Sequence, residues 1–324
     1  MYIRRLRIEN WKNFPKGDVQ IARRLFLIGP NASGKSNFLD IFRFLRDLCL
    51  SRGGGLRQAV EERGGVSAIR CLAARRYSDI LIEVEIQEEG SSNGVWLYRL
   101  KFNQDNLRRP LVQEERVEYK GKVKLNRPDV DDQTDKERLT QTALEQITAN
   151  KDFRPVVAFL QSVSYQYLIP QVVRDPLGFS PGQIENDPFG RDLLKRVENT
   201  NTKSRDSRLK KIQSALILAV PQLKELMIAR DNFGVPHLVV LFEHWRPHAG
   251  KQSEAQFSDG TLRLFGLLWS LFEGDGPLLM EEPELSLHSE VVRHLPQMIE
   301  RINRQRKVRR QVIISTHSEE MLSD

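Results

Sequence analysis

Cysteine is nearly absent: the 324 residues hold two, Cys49 and Cys71. Two thiols so placed cannot build a disulfide framework or a four-ligand zinc site, and such sparing use suits a reducing compartment. Long apolar runs are also missing. No stretch approaches the roughly 18 apolar residues of a membrane span, and the first seven residues carry three arginines where a signal peptide would need an apolar core. A cytoplasmic chain with no membrane partner is expected. Internal repeats are lacking, as are the long heptads of an extended coiled coil. There is no His-Glu-x-x-His segment, no HNH pair and no carboxylate cluster of topoisomerase-primase type, so no second active site is legible.

What remains is an ordinary globular composition, 40% hydrophobic and 29% charged, with room for about two domains of ~150 residues or one α/β domain with insertions. Lys plus Arg exceed Asp plus Glu by 50 − 43 = +7. A basic balance favours a polyanionic partner without choosing among DNA, RNA and a membrane surface.

Apolar and charged residues alternate over residues 2–9, predicting a strand, and residues 25–28 predict a second that ends on a glycine loop. Phe38, Ile41, Phe42 and Leu45 recur at helical spacing, so a helix should run from near Lys35 to about Leu50, where Ser51-Arg52-Gly53-Gly54-Gly55 interrupts it. Residues 78–125 read as antiparallel strands, including 80–86 and 96–102 around a turn. Residues 126–152 read as a polar loop with a short helix near 139–147. Helical patterns follow around Leu193 and over 212–218, and two strands flank residues 232–236. The last third alternates helix and strand: a helix from Thr261, a strand at 278–280, a helix over 290–304 and a strand at 312–315.

Gly29-Pro30-Asn31-Ala32-Ser33-Gly34-Lys35-Ser36 fits G-x-x-x-x-G-K-[ST] between a strand and a helix. Glycines let backbone N–H groups turn onto a phosphate, Lys35 adds positive charge at the β- and γ-phosphates, and the Ser36 hydroxyl can ligate Mg²⁺ at a helix N-terminus. ATP and Mg²⁺ are therefore the expected substrate and cofactor. Asn37 continues the candidate nucleotide segment. Leu278-Leu279-Met280-Glu281-Glu282-Pro283-Glu284 sets two adjacent carboxylates at the end of an apolar strand, where buried acids need a cation or donors. Glu281 could hold Mg²⁺ in part, and Glu282 could orient and deprotonate a water. Phe257-Ser258-Asp259-Gly260-Thr261 opens an apolar helix and could receive phosphate oxygens; a plain turn with a Ser N-cap reads equally well there.

Together these residues resemble the ABC-class ATPases, in particular the soluble RecF, SMC and OLD-like group. The resemblance implies an ABC-ATPase head of α/β class: a mixed sheet around the P-loop, an antiparallel β subdomain and an inserted helical lobe. The implied segments are 1–125, with P-loop and antiparallel part; 126–254, an inserted lobe, mainly helical with a β-hairpin; and 255–324, the C-terminal part of the head. The family's signature is Leu-Ser-Gly-Gly-Gln; Ser258 and Gly260 match it, whereas Phe257, Asp259 and Thr261 depart. By the same resemblance Glu281 and Glu282 are the Walker B pair, Ser286-Leu287-His288 the D-loop and His317 the switch histidine in contact with the γ-phosphate. Glu281 stands where the family usually has Asp. Lys12 and Asn13, after the first strand, would line the nucleotide. The family's glutamine that senses Mg²⁺ and water falls to Gln171 after residues 167–170, with Gln161 and Gln166 as competitors.

The resemblance further implies a homodimer in which two heads sandwich ATP, with Ser258, Asp259 and Gly260 acting in trans. Double-stranded DNA, in repair or anti-phage defence, is the expected partner. The alternative is a nucleotide-gated scaffold that holds and releases a protein effector, a nuclease or toxin, supplied separately or by a C-terminal domain missing from this sequence. An ATPase subunit of a transporter is disfavoured by the signature and the strand-first N-terminus. Arg301, Arg304, Arg306, Lys307, Arg309 and Arg310 form a run without an acid that can neutralise phosphates or merely complement a helix C-terminus. Arg4, Arg5, Arg7, Arg23, Arg24, Arg75 and Arg76 spread further charge.

Overall fold

In the computed structural model the residues described are 1–50, 53–74, 79–175, 187–243 and 250–322. Ser51, Arg52, Arg75 and Arg76, named above, lie outside them. In chain order the strands are β1 (Tyr2–Trp11), β2 (Phe14–Gln20), β3 (Arg24–Ile28), β4 (Ile80–Gln87), β5 (Val95–Gln104), β6 (Pro110–Tyr119), β7 (Lys122–Arg127), β8 (Ser164–Gln166), β9 (Leu223–Arg230), β10 (Pro236–Phe242), β11 (Lys251–Ser253), β12 (Leu278–Glu281) and β13 (Val312–Thr316). The α-helices are α1 (Lys35–Cys49), α2 (Leu56–Glu61), α3 (Val66–Ile69), α4 (Val130–Thr134), α5 (Arg154–Gln161), α6 (Pro170–Arg174), α7 (Leu193–Asn199), α8 (Thr202–Leu216), α9 (Asp259–Ser270) and α10 (Ser289–Arg304). Two units divide the chain: Met1–Leu25, Pro30–Val163 and Gln311–Ile313 form the first, and Phe26–Gly29, Ser164–Arg310 and Ile314–Asp324 the second.

The first unit is built on an antiparallel sheet in the order β2-β1-β4-β5-β6-β7. In β1 the alternation slips at a bulge between Ile3 and Arg5, so Ile3 and Leu6, three apart, are both buried. The apolar stripe of α1 supplies Phe38, Ile41, Phe42, Phe44 and Leu45. Phe44 packs edge-on against Trp11 at 5.2 Å and stacks on Phe102 at 5.6 Å, which fixes the helix on the sheet. One turn before Phe44, α1 also buries Asp40. Burial opposes its charge, but Arg63, at 2.9 Å, and Lys12, at 2.7 Å, outweigh burial and hold the carboxyl below the usual carboxylate range.

Phe14–Gln20, for which the sequence suggested no element, forms an edge strand against β1 although it contains Pro15 and Gly17; edge strands tolerate both. The helix expected over 139–147 does not form. There the Thr142 N–H goes to the half-buried Glu145 carboxylate three residues on (2.6 Å) and the Ala143 N–H to the buried Glu115 carboxylate on β6 (2.8 Å), so side-chain acceptors displace helical carbonyls. Buried Arg127 ties the same stretch to β6 by pairing with Glu115 and Asp132. Residues 126–163 accordingly belong with the N-terminal sheet, and the lobe expected over 126–254 divides at Val163.

In the second unit four strands run in the order β3-β13-β12-β8. β8 and β12 are parallel, with Met280 opposite Gln166. β12 is apolar at every position before Glu281, as expected of a strand covered on both faces. α9 is almost entirely buried, and α10 turns Val292, Leu295, Met298, Ile299 and Ile302 inward. A three-stranded antiparallel sheet, β11-β10-β9, precedes α9, as the two strands expected around residues 232–236 required.

Candidate functional site

The glycine loop leaves β3 and enters α1 through Gly34, whose φ of 102° only glycine adopts readily. A methyl at Gly34 would also stand 2.2 Å from Asn13 Nδ2. Asn13 is held there because Nδ2 donates to Ser33 O at 3.2 Å and Asn37 Nδ2 donates to Asn13 Oδ1 at 2.9 Å. Asn13 and Asn37 therefore brace the loop within the first unit. Lys35 Nζ donates to Pro30 O at 3.0 Å, within the loop it serves. Lys12 is placed differently, its ammonium directed to Asp40 on α1.

Left-handed backbone recurs at the residues singled out from sequence: Lys12 (φ 49°), Ala32 (62°), Glu282 (44°) and Ser286 (64°). Such non-glycine conformations are held only where the surroundings over-determine them, and they gather at functional sites.

Within the second unit, the acids sit where β12 ends. Tyr165 O–H donates to Glu281 Oε2. Glu282 N–H donates to Ser315 O at 2.9 Å, so the end of β12 meets the end of β13. His317 Nε2 lies 2.5 Å from Glu282 Oε1. Glu284, which sequence reasoning quoted but gave no role, joins the two segments: Thr316 Oγ1 donates to its Oε1 at 2.5 Å and His317 N–H to the same oxygen at 2.9 Å. The signal available was the third acid in Glu-Glu-Pro-Glu.

Three buried polar atoms at these strand ends have no hydrogen-bond partner: Gln166 Nε2, Glu284 Oε2 and Ser315 Oγ. Orphans of this kind are rare in a folded interior and fit a site completed by a polar ligand. A hard oxygen donor such as Glu281 suits Mg²⁺, and the described residues hold no cluster of three or more His, Cys, Asp or Glu able to cage a metal alone. The glutamine expectation shifts: the strand ends at Gln166, whereas Gln171 lies on α6 and donates its amide to Asp259 Oδ2 at 2.9 Å.

Ser258 is the N-cap of α9, its Oγ accepting from Thr261 N–H at 3.1 Å. Gly260 has a further reason to be glycine: an added methyl would meet Ser286 O at 2.5 Å and Leu287 Cδ2 at 3.2 Å. The signature-like segment and the candidate D-loop are thus brought together within the second unit.

The charges expected to meet phosphates are largely committed elsewhere. Arg4 pairs with Glu85, Arg5 with Asp18 and Glu85, Arg7 with Glu9, and Arg23 with Glu89. Arg306 donates to Leu271 O, Gly274 O and Asp275. Arg310 is buried, donating to Gly276 O, Ser270 O and Ser164 Oγ; burial, then the charge of Arg306, pushes it down to about 9. Among the run from 301 to 310, Arg301, Arg304, Lys307 and Arg309 stay exposed. No helix of the described residues is long and apolar enough to cross a membrane.

A P-loop at the start of α1, and an acid pair with a histidine at neighbouring strand ends, define an ABC-class P-loop ATPase of the RecF and SMC type. The profile of the family described as "AAA domain, putative AbiEii toxin, Type IV TA system" matches residues 25–323, and the chain belongs to that family. Two proteins called "DNA replication and repair protein RecF", from Synechocystis sp. and Picosynechococcus sp., are 30% and 29% identical over 112 residues. Those alignments cover 34% of this chain but only 28% and 27% of the relatives, so the match spans under a third of their length. In structure, an SMC head bound to the C-winged helix domain of ScpA is similar over 100% of this chain and 91% of its own, with a TM-score of 0.56 at 15% identity. The SMC head domain from Thermotoga maritima is similar over 99% and 91%, with a TM-score of 0.50 at 13% identity. At these identities the likeness establishes an SMC head-like fold.

Proposed function

We propose that the chain binds and hydrolyses ATP, and that two copies associate head to head around ATP to drive DNA handling in repair or anti-phage defence. The observation that carries this reading is the coupling of Glu282 to His317 across the ends of β12 and β13. A carboxylate held by an imidazole and by its own left-handed backbone is pre-positioned to take a proton from water. Glu284 fixes the backbone of His317, so the imidazole has one place to sit. Residues 29–37 cradle the phosphates, Lys35 supplies positive charge, and Ser258 and Gly260 act on the ATP of the other copy. Ser36 on one unit and Glu281 on the other are each candidate ligands for Mg²⁺, with Gln166 favoured over Gln171, and the ion would neutralise charge on the phosphates when bound. Hydrolysis by one copy should be slow, because donors that stabilise the transition state come from two chains.

A second reading, a nucleotide-gated scaffold for a protein effector, is supported by the internal pairing of Arg4, Arg5, Arg7, Arg23 and Arg306, which leaves fewer cations for DNA. One experiment separates the two: phosphate release measured over a range of protein concentrations, with and without linear double-stranded DNA, using Glu282→Gln as blank. Turnover that rises with concentration and again with DNA supports the first. A rise with concentration alone favours the scaffold, and turnover in Glu282→Gln equal to the parent would refute the base assignment.

A further inference from the structure

Asp259 is the departure from Leu-Ser-Gly-Gly-Gln with an electrostatic consequence. It sets a carboxylate beside Ser258, in the segment proposed to receive a phosphate, and like charges repel. The fold answers that charge. Arg174 Nη1 donates to Asp259 Oδ1 at 2.6 Å, and Gln171 Nε2 donates to Oδ2 at 2.9 Å. The same guanidinium reaches back along the chain, Nη2 donating to Phe257 O at 2.7 Å and Nε to Glu254 O at 3.4 Å. Arg174 thus neutralises the acid and ties down the backbone leading into Ser258 with one planar fork, a geometry lysine lacks. Its side chain is 23% exposed and that of Asp259 38%, so the pair stands partly in solvent and its strength depends on salt.

The other end of this segment is also fastened. Glu254, which is buried, accepts Leu238 N–H at 2.9 Å and faces His237 Nδ1 at 2.7 Å, anchoring the segment to β10. Residues 254–259 are therefore clamped between β10 and α6, with Arg174 as the contact that also carries charge.

We infer that Arg174 is a positioning residue for ATP-dependent association: it cancels the charge of Asp259, so that Ser258 and the start of α9 can accept a phosphate presented by a second copy. This rests on the proposed head-to-head reading. The electrostatic role differs from that of a mere staple in one respect, since it predicts that removing the acid compensates for removing the arginine.

The test uses the full chain in a Glu282→Gln background, which keeps bound ATP intact, with association followed by analytical ultracentrifugation at 50 to 500 mM NaCl and nucleotide affinity by a fluorescent ATP analogue. R174Q is expected to weaken ATP-dependent association at least tenfold, least at high salt, while the nucleotide affinity of the separate chain holds within about twofold. R174Q/D259N should regain most of that loss. Equal impairment of R174Q and R174Q/D259N, or association of R174Q matching the background, would overturn the assignment. Should R174Q not fold, R174K serves: it keeps the charge and gives up the fork, so any loss of association should be the same at 50 and 500 mM NaCl, and a loss that shrinks with added salt would count against the inference. A background chain that binds ATP without associating overturns the head-to-head reading itself, and this inference with it.

Discussion

The α-carbon of Gly260 and the carbonyl of Ser286 are packed so closely that a methyl on the first would lie 2.5 Å from the oxygen of the second. Ser286 reaches this position with a left-handed backbone, φ 64°, so neither partner can withdraw cheaply. We expect Gly260→Ala to destabilise the chain by about 1–3 kcal/mol, as overpacking against backbone does. Thermal melting checks this: a melting temperature of Gly260→Ala equal to that of the parent would contradict it.

Glu284 accepts from Thr316 and from the backbone of His317. Glu284→Ala leaves those donors without their partner, at about 1–3 kcal/mol for a buried unpaired group, and releases the histidine from its fixed place. A lower melting temperature together with reduced phosphate release is expected. Glu284→Gln, which keeps an acceptor oxygen, should lose less of both.

Lys35→Ala and Glu282→Gln should fail in different ways. Removing the lysine deletes a charge-assisted contact worth about 1.5–3 kcal/mol, so ATP affinity, read by equilibrium binding, should fall roughly tenfold or more. Removing the carboxylate should leave binding intact and lower single-turnover hydrolysis by about 10²–10⁴. Loss of binding in Glu282→Gln would mean that the acid holds the nucleotide in place of activating water.

Glu115 gives the chain a pH-dependent stability. Complete burial pushes its carboxyl up to about 7 from 4.5, although Ala143 N–H, Arg127 and Tyr98 all favour the charged form. Between those two values the folded chain keeps a proton that the unfolded chain has released. Stability from this group is thus full below pH 4.5 and lost as pH rises through about 7, a change on the order of 3 kcal/mol. His237, raised by its bond to Glu254, acts in the same direction. Urea unfolding at pH 5 and pH 8 should show the loss in the parent and a smaller one in Glu115→Gln; identical pH dependence would contradict it.

The elements with strong periodicity were readable from sequence. Apolar spacing over Phe38, Ile41, Phe42 and Leu45 gave α1, and the apolar run before Glu281 gave β12, because both patterns depend on neighbours a few residues apart. The strand end expected before Gln171 was not readable for the opposite reason: Tyr167 to Ile169 is apolar enough for a strand, yet the strand pairing with β12 stops at Gln166 and Pro170 starts a helix. Within the arginine run from 301 to 310, nothing local tells Arg310, capped by carbonyls from residues 270–276, from exposed Arg309.

The sequence by itself determined the glycine loop, the acid pair and the histidine, and with them the class of chemistry, because backbone turns and charged side chains at fixed spacing carry that information locally. Tertiary structure alone decided which charges remain available. Glu284 reaches His317 from 33 residues away and Arg174 reaches Asp259 from 85. An ion pair or orphaned atom is a property of distance and burial after the chain has folded, and sequence spacing does not encode either.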